Sequence, residues 1–419
     1  MRILLIANPN STSQTNELFR RIIPLVRSID DSHLLTKFTH YAGHAEDMTR
    51  GLSRDDFDVV IAVGGDGTVN EVVNGLLGKV GDDRRKASEV PALAVIPTGS
   101  ANVFVRALGY PRDAVHTTEL VVGHIKQNLR RRIRLGTWND RWFAINAGIG
   151  IDADVLHNID KLREQGFAAT PLRYLRISYQ AWHRILNAPP KISAHAESAE
   201  GQTQHIDEAP LVFASNTNPW TFLGPLPVVT NPRNSFDKGL GTFGLTDLKG
   251  FGGFVGLLHL FGADEKGRLN KFTDARTLRF DDATRITLEC DTELRFQADG
   301  ETQGKLKTVE LNSIPDAIEV FSPEEIIPVQ QRGVWAVVRD LFRIERLPAL
   351  PTGVRYSGCT ITLLRTASNT MEPPSRYTAS AARSSGNVVV STVRSKAASA
   401  SSSASSGCTD ELTISFGRS

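Results

Sequence analysis

The sequence predicts an α/β fold: an open sheet of parallel strands flanked by helices, followed by a mainly antiparallel β-sandwich. Three observations carry this expectation. Continuous apolar runs at residues 3–7, 59–63 and 93–96 read as strands buried on both faces, the mark of a parallel sheet. Each run leads through a turn into helical periodicity. From about residue 126 the pattern changes to short alternating stretches separated by turn residues.

In chain order, the first run leads into "NPNSTS" (8–13) and the second into "GGDGT" (64–68). After the second, Val69, Val72, Val73, Leu76 and Leu77 recur at helical spacing on one face. The third run leads into "PTGSAN" (97–102). In "RIRLGTWNDRWFAINAG" (132–148), Asn139-Asp140 sits between two strand-like runs and predicts a hairpin. A helical insert is expected over 171–186, with Leu172, Leu175, Ile177, Tyr179 and Ile185 as candidate core residues. The β-rich part closes near "DAIEVFSP" (316–323), and beyond Pro348 a Ser- and Ala-rich stretch without periodicity reads as disordered. The expected segments are 1–125, 126–325, 326–347 and 348–419.

Composition narrows the classes of function. A formal net charge of +2, with a net-basic tail, leaves the body near neutrality, so no basic groove for nucleic acid is expected. Three cysteines, Cys290, Cys359 and Cys408, have no metal-ligand spacing, and no disulfide framework or zinc site is expected. The N-terminus reads as a first strand rather than a signal peptide, and "FGGFVGLLHLFG" (251–262) is too short to span a bilayer. A cytoplasmic protein without transmembrane helices follows as the expectation. The oligomeric state is not legible.

In an open α/β sheet, ligands bind outside the carboxyl ends of the strands, so the three loops belong together. Rich in Gly, Ser, Thr and Asn, they offer backbone N–H groups at helix N-termini, where anions are favoured. A polyphosphate is the expected occupant. Neither the G-x-x-x-x-G-K-[ST] loop nor the dinucleotide G-x-G-x-x-G spacing is present. The same residues also have local roles. Thr68 and Glu71 spell a T-x-x-E capping box, Asn8-Pro9 is a turn signal, and Gly99-Ser100 can lead into an N-cap. Further along, "ADGE" lies between strand-like stretches, predicting a type I′ turn that exposes a carboxylate.

The ordered motifs "GGDGTVNEVVNGL", "PTGSANVFVRALGYP", "INAGIGIDADVL" and "ADGE" resemble the soluble bacterial diacylglycerol kinases and their sphingosine and ceramide kinase relatives, over about residues 1–325. The resemblance implies a Rossmann-like ATP-binding domain followed by a lipid-binding β domain. It implies ATP and Mg²⁺ as cofactors, a lipid substrate such as diacylglycerol, and transient contact with a membrane surface. By similarity, the nucleotide contacts Asn8, Pro9, Asn10, Ser11, Thr12 and Thr39. It also contacts Gly64, Gly65, Asp66, Gly67, Thr68, Asn70, Glu71, Gly99, Ser100 and Asn102. Asp66 handles phosphates and magnesium, while Asp299 and Glu301 form the acidic pair at the cleft, Glu301 taking the hydroxyl proton.

Two departures stand out. Many members read "NDF" where this chain has Asn102-Val103-Phe104, so that second-position carboxylate is lost. Where the family has an acidic "DDG" for a structural magnesium, this chain has Asp237-Lys238-Gly239, and the ammonium opposes a divalent cation. No structural metal site is assigned. Two other readings stay open: an NAD kinase, which shares GGDGT, and a nucleotide sensor without turnover. For lipid contact, Trp220, Phe222 and Leu223 in "NTNPWTFLGPLPVV" (216–229) are candidates, with core packing as the alternative. A basic amphipathic helix over 332–347 carries Arg332, Arg339, Arg343 and Arg346 on one face, with Val334, Trp335, Val338, Leu341 and Phe342 largely apart from them. It suits an anionic membrane interface, or packing on the first domain.

Overall fold

The computed structural model describes residues 1–9, 11, 15–81, 84–150, 186, 189–223, 226–246 and 277–323. The expected insert, apart from Leu186, lies outside these residues, as do the amphipathic helix and the tail.

The first half alternates strands and helices: β1 Arg2–Ala7, α1 Asn16–Arg27, β2 His33–Phe38, α2 His44–Thr49, β3 Val59–Gly64, α3 Asp66–Leu77, β4 Ala92–Pro97, α4 Val103–Ala107 and α5 Ala114–Gln127. The four strands pair in parallel in the order β4-β3-β1-β2. Val and Ile dominate β3, which with β4 is buried along its whole length, as expected of a strand covered on both faces. Each such side chain contributes about 1.5–3 kcal/mol by leaving water. The edge strand β2 was not expected, because its sequence, HLLTKF, alternates between exposed and half-buried positions and has no continuous apolar run. Its partner β1 fixes it, pairing Arg2 with His33 through Ala7 with Phe38.

The second half is β-rich: β5 Arg130–Trp138, β6 Arg141–Phe143, β7 Asn146–Ile149, β8 Ile192–Ser198, β9 Thr203–Ala209, β10 Leu211–Ser215, β11 Thr221–Leu223, β12 Leu226–Val228, β13 Leu240–Leu245, β14 Thr277–Ala298 and β15 Glu301–Phe321. The hairpin between β5 and β6 forms at Asn139-Asp140, with Asn139 at φ 49°. A second core gathers around Phe143, Ile149, Ile192, Phe296 and Leu311, distinct from the one beneath the parallel strands. The two halves share one strand. β15 pairs antiparallel with β14 and β5, and at its far end Val320 pairs in parallel with Leu93 of β4.

Candidate active site

The glycine corner follows from where α3 begins. Gly65 is the N-cap in extended conformation (φ −94°), and it supplies no side-chain cap to the helix's first turn. Those N–H groups are therefore offered to an anion rather than to a capping oxygen. The capping box does not form, because the helix starts at Asp66 and puts Thr68 inside its first turn. Glu71 turns elsewhere and accepts from Gly43 N at 2.8 Å and Ala45 N at 3.0 Å, capping α2. Its carboxylate thus fastens the loop after β2.

Asp66 also has a structural task. Its oxygens accept from Val103 N at 3.0 Å and Phe104 N at 3.1 Å, capping α4 and tying the GGDGT corner to the PTGSAN loop. Burial pushes the Asp66 carboxyl above its ordinary value, with those two N–H groups pulling the other way. Within the second loop Asn102, in left-handed conformation (φ 50°), donates to Gly99 O at 2.8 Å and accepts from Gly99 N at 2.9 Å. A Cβ on Gly99 would lie 2.6 Å from Gly65 Cα, so both glycines are needed for the two loops to lie back to back. Thr98 Oγ1 donates to Ser11 Oγ at 2.9 Å, and Asn8 N to Val63 O at 3.1 Å, bringing the first loop alongside. Thr39 is buried at the end of β2, donating to Ala7 O, and Ser100 is exposed. Asn10 and Thr12 lie outside the described residues.

The β14–β15 turn is of the expected type, with φ 50° at Asp299 and 83° at Gly300. Its two acids part company. Asp299 is only 6% exposed, so it is not the carboxylate that the turn exposes. The turn abuts the β6–β7 junction, where Asp299 accepts from Ala144 N and Ile145 N at 2.7 Å each and from Asn146 N at 3.2 Å. The Asn70 amide of α3 donates to it at 2.8 Å. Burial pushes its pKa up to about 6 against these four donors. Glu301 is the exposed member. A Cβ on Gly67 would lie 2.7 Å from Glu301 Oε1, so this carboxylate rests on the first turn of α3. Nearby Arg141 is held protonated above its ordinary pKa, first by its hydrogen bond to Glu46 and in smaller part by the charge on Glu301.

The GGDGT corner, with the PTGSAN loop fastened to it through Asp66, therefore meets an acidic turn from the far end of the chain. Residues 2–138 match the diacylglycerol kinase catalytic domain. Over those residues the chain is similar to diacylglycerol kinases. Diacylglycerol kinases of Staphylococcus aureus strains JH9 and NCTC 8325 are each 27% identical over 331 residues, covering 78% of this chain and 94% of their own. A diacylglycerol kinase structure from Bacillus anthracis str. Sterne superposes with a TM-score of 0.52 at 19% identity, over 78% of this chain and 98% of that one. A second structure from that strain gives 0.57 at 23% identity, over 78% and 96%. These structures share the fold. The protein is a kinase, an enzyme that transfers phosphate to a hydroxyl.

In this kinase the residue after Asn102 is Val103, and its backbone N–H, not a side chain, reaches Asp66. At the "DKG" position Asp237 pairs with Arg131 at 2.7 Å and Lys238 is exposed. Among the described residues no group of three or more His, Cys, Asp or Glu gathers to hold a metal ion, and no helix is long and apolar enough to cross a membrane. Trp220 packs on Phe213, with ring centroids 4.5 Å apart, as a core residue would. Phe222 lies instead under a cation: the Arg106 Cζ is 3.1 Å from its ring centroid.

Arg106 is the residue that sequence reasoning overlooked. Half-buried on α4, it donates to Ala101 O at 3.4 Å and makes no ion pair among the described residues. Burial first, and the field of Arg112 second, lower its pKa to about 10, while Asp66 opposes them. The guanidinium thus sits between the field of Asp66, the Ala101 carbonyl and the Phe222 ring. The available signal was a lone charge in the apolar run "NVFVRALG".

Proposed function

We propose that the enzyme transfers the γ-phosphate of ATP to a lipid hydroxyl, with diacylglycerol giving phosphatidic acid. The observation that carries this is the seat of Glu301 against Gly67, a carboxylate held at the N-terminus of the phosphate-loop helix. Phosphoryl transfer asks mainly for positioning and charge neutralisation. The backbone N–H groups of the GGDGT and PTGSAN loops hold the phosphates, and Arg106 balances their charge. Glu301 accepts the lipid hydroxyl proton as that oxygen bonds to the γ-phosphorus; the bond to the β–γ bridging oxygen breaks and ADP leaves. Asp66 keeps the two loops in register, and Asp299 holds the turn that presents Glu301.

Asp66 would be the protein carboxylate to hold a magnesium ion carried on the phosphates, since each of its oxygens accepts only one N–H here. When bound, the ion would neutralise developing phosphate charge. The second half supplies apolar surface for acyl chains, and the amphipathic stretch 332–347 meets anionic lipid. Transfer of labelled phosphate from ATP to a panel of lipids in mixed micelles, with NAD included, tests the reading. Labelled phosphatidic acid is expected. Labelling of NAD alone, or tight ATP binding with no product, would overturn it.

A further inference from the structure

The loop between β2 and α2 carries an aromatic pair that phosphate chemistry does not use. Tyr41 is 57% exposed, the most exposed of the large hydrophobic side chains described. Yet it is held firmly. One face of its ring lies flat on the His44 imidazole, with centroids 4.3 Å apart and planes 12° apart. Its hydroxyl donates to Asp47 Oδ2 at 3.0 Å, and His40 N donates to His44 Nδ1 at 3.1 Å, which orients the imidazole behind it. Glu71 then anchors the loop to α3 through Gly43 N and Ala45 N. A solvent-facing ring fixed at this many points has already lost the freedom that binding would otherwise cost.

Its position relative to the site follows from strand order. In β4-β3-β1-β2, the loop after β2 stands two strand spacings, about 10 Å, from the corner after β3. Glu301, at the start of β15, reaches that corner from the β14–β15 turn and rests against Gly67. The reacting end of a nucleoside triphosphate therefore belongs beside Gly67. Its other end runs outward past the end of β1 toward β2.

We propose that Tyr41, backed by His44, is the stacking platform for the nucleotide's base; this rests on the ATP reading above. Every base has a π-face, so the platform supplies affinity rather than a choice between adenine and guanine.

Calorimetry on the full chain with magnesium tests it, comparing wild type, Tyr41→Ala and Tyr41→Phe against ATP and against inorganic tripolyphosphate, which lacks a base. Tyr41→Ala should bind ATP at least about five-fold more weakly and leave tripolyphosphate unchanged, while Tyr41→Phe retains ATP affinity because the ring remains. Unchanged ATP affinity in Tyr41→Ala, or equal losses for ATP and tripolyphosphate, would overturn the platform while leaving the ATP reading intact. A wild type that binds neither ligand overturns the ATP reading, and the platform with it.

Discussion

Asn70 Nδ2 and Asp299 Oδ2 lie 2.8 Å apart across 229 residues of sequence, joining the phosphate-loop helix to the turn that carries Glu301. Removing the carboxylate with Asp299→Ala would strand this amide and the backbone donors of Ala144, Ile145 and Asn146. The expected loss is on the order of 3 kcal/mol, read as a lower urea midpoint. Asn70→Ala should cost roughly 1 kcal/mol, since the other three donors remain.

The same carboxylate gives a pH signature. Its pKa of about 6 in the fold lies above the ordinary 3.8, so the folded protein keeps a proton that the unfolded chain has already released. The resulting stabilisation is full below about pH 4 and is lost as pH rises through about 6. The stability difference between wild type and Asp299→Asn should shrink over that window, by roughly 3 kcal/mol at most, and level off above it. A difference that is flat between pH 4 and 7 in denaturant titrations would contradict the raised pKa.

Glu301→Gln retains the shape and removes the carboxylate proposed to accept the proton. Turnover should drop by about two orders of magnitude or more, with ATP affinity by calorimetry unchanged. Wild-type rates from a folded Glu301→Gln protein would remove this residue from the mechanism.

Gly67 and Gly99 separate two kinds of tight contact. A methyl group on Gly67 meets only the flexible end of Glu301, so Gly67→Ala should fold normally and turn over about ten-fold more slowly as the carboxylate is displaced. Gly99→Ala meets the Gly65 backbone and Asn102 Oδ1, which cannot move aside, and a lower melting temperature is expected. Matched melting curves for the two variants would refute this distinction.

For Arg106, the expected effect falls on the nucleotide. Arg106→Gln should weaken ATP binding by about ten-fold, as for a lost charged hydrogen bond. Arg106→Lys should not restore it, because an ammonium neither forks nor stacks on Phe222 as a guanidinium does. Full rescue by lysine in a binding titration would reduce Arg106 to a point charge.

The legible parts of this enzyme are those in which local chemistry settles the outcome. Apolar runs became β1, β3 and β4, and Asp299-Gly300 became the I′ turn because both positions tolerate φ > 0. What was not legible depends on partners far along the chain. β2 is a strand because β1 lies beside it. Thr68 and Glu71 spell a cap, yet an extended Gly65 starts the helix earlier and frees Glu71 for α2. Asp299 and Glu301 are two residues apart and look equivalent, but only tertiary packing decides which is buried. Arg106 gains its meaning from Phe222, which no local pattern connects to it.

β15 has a mechanical consequence. It starts at Glu301, against the first turn of α3, and ends beside β4, so one 21-residue strand touches the parallel half at both of its ends. The strand is not straight: its register against β5 shifts between Ile314 and Ile318, where Asp316 takes φ 50°. Any rocking of one half of the cleft against the other must be absorbed at that joint or it breaks the ladder. Asp316, far from the chemistry, thus marks the one break in the ladder that ties β15 to β5.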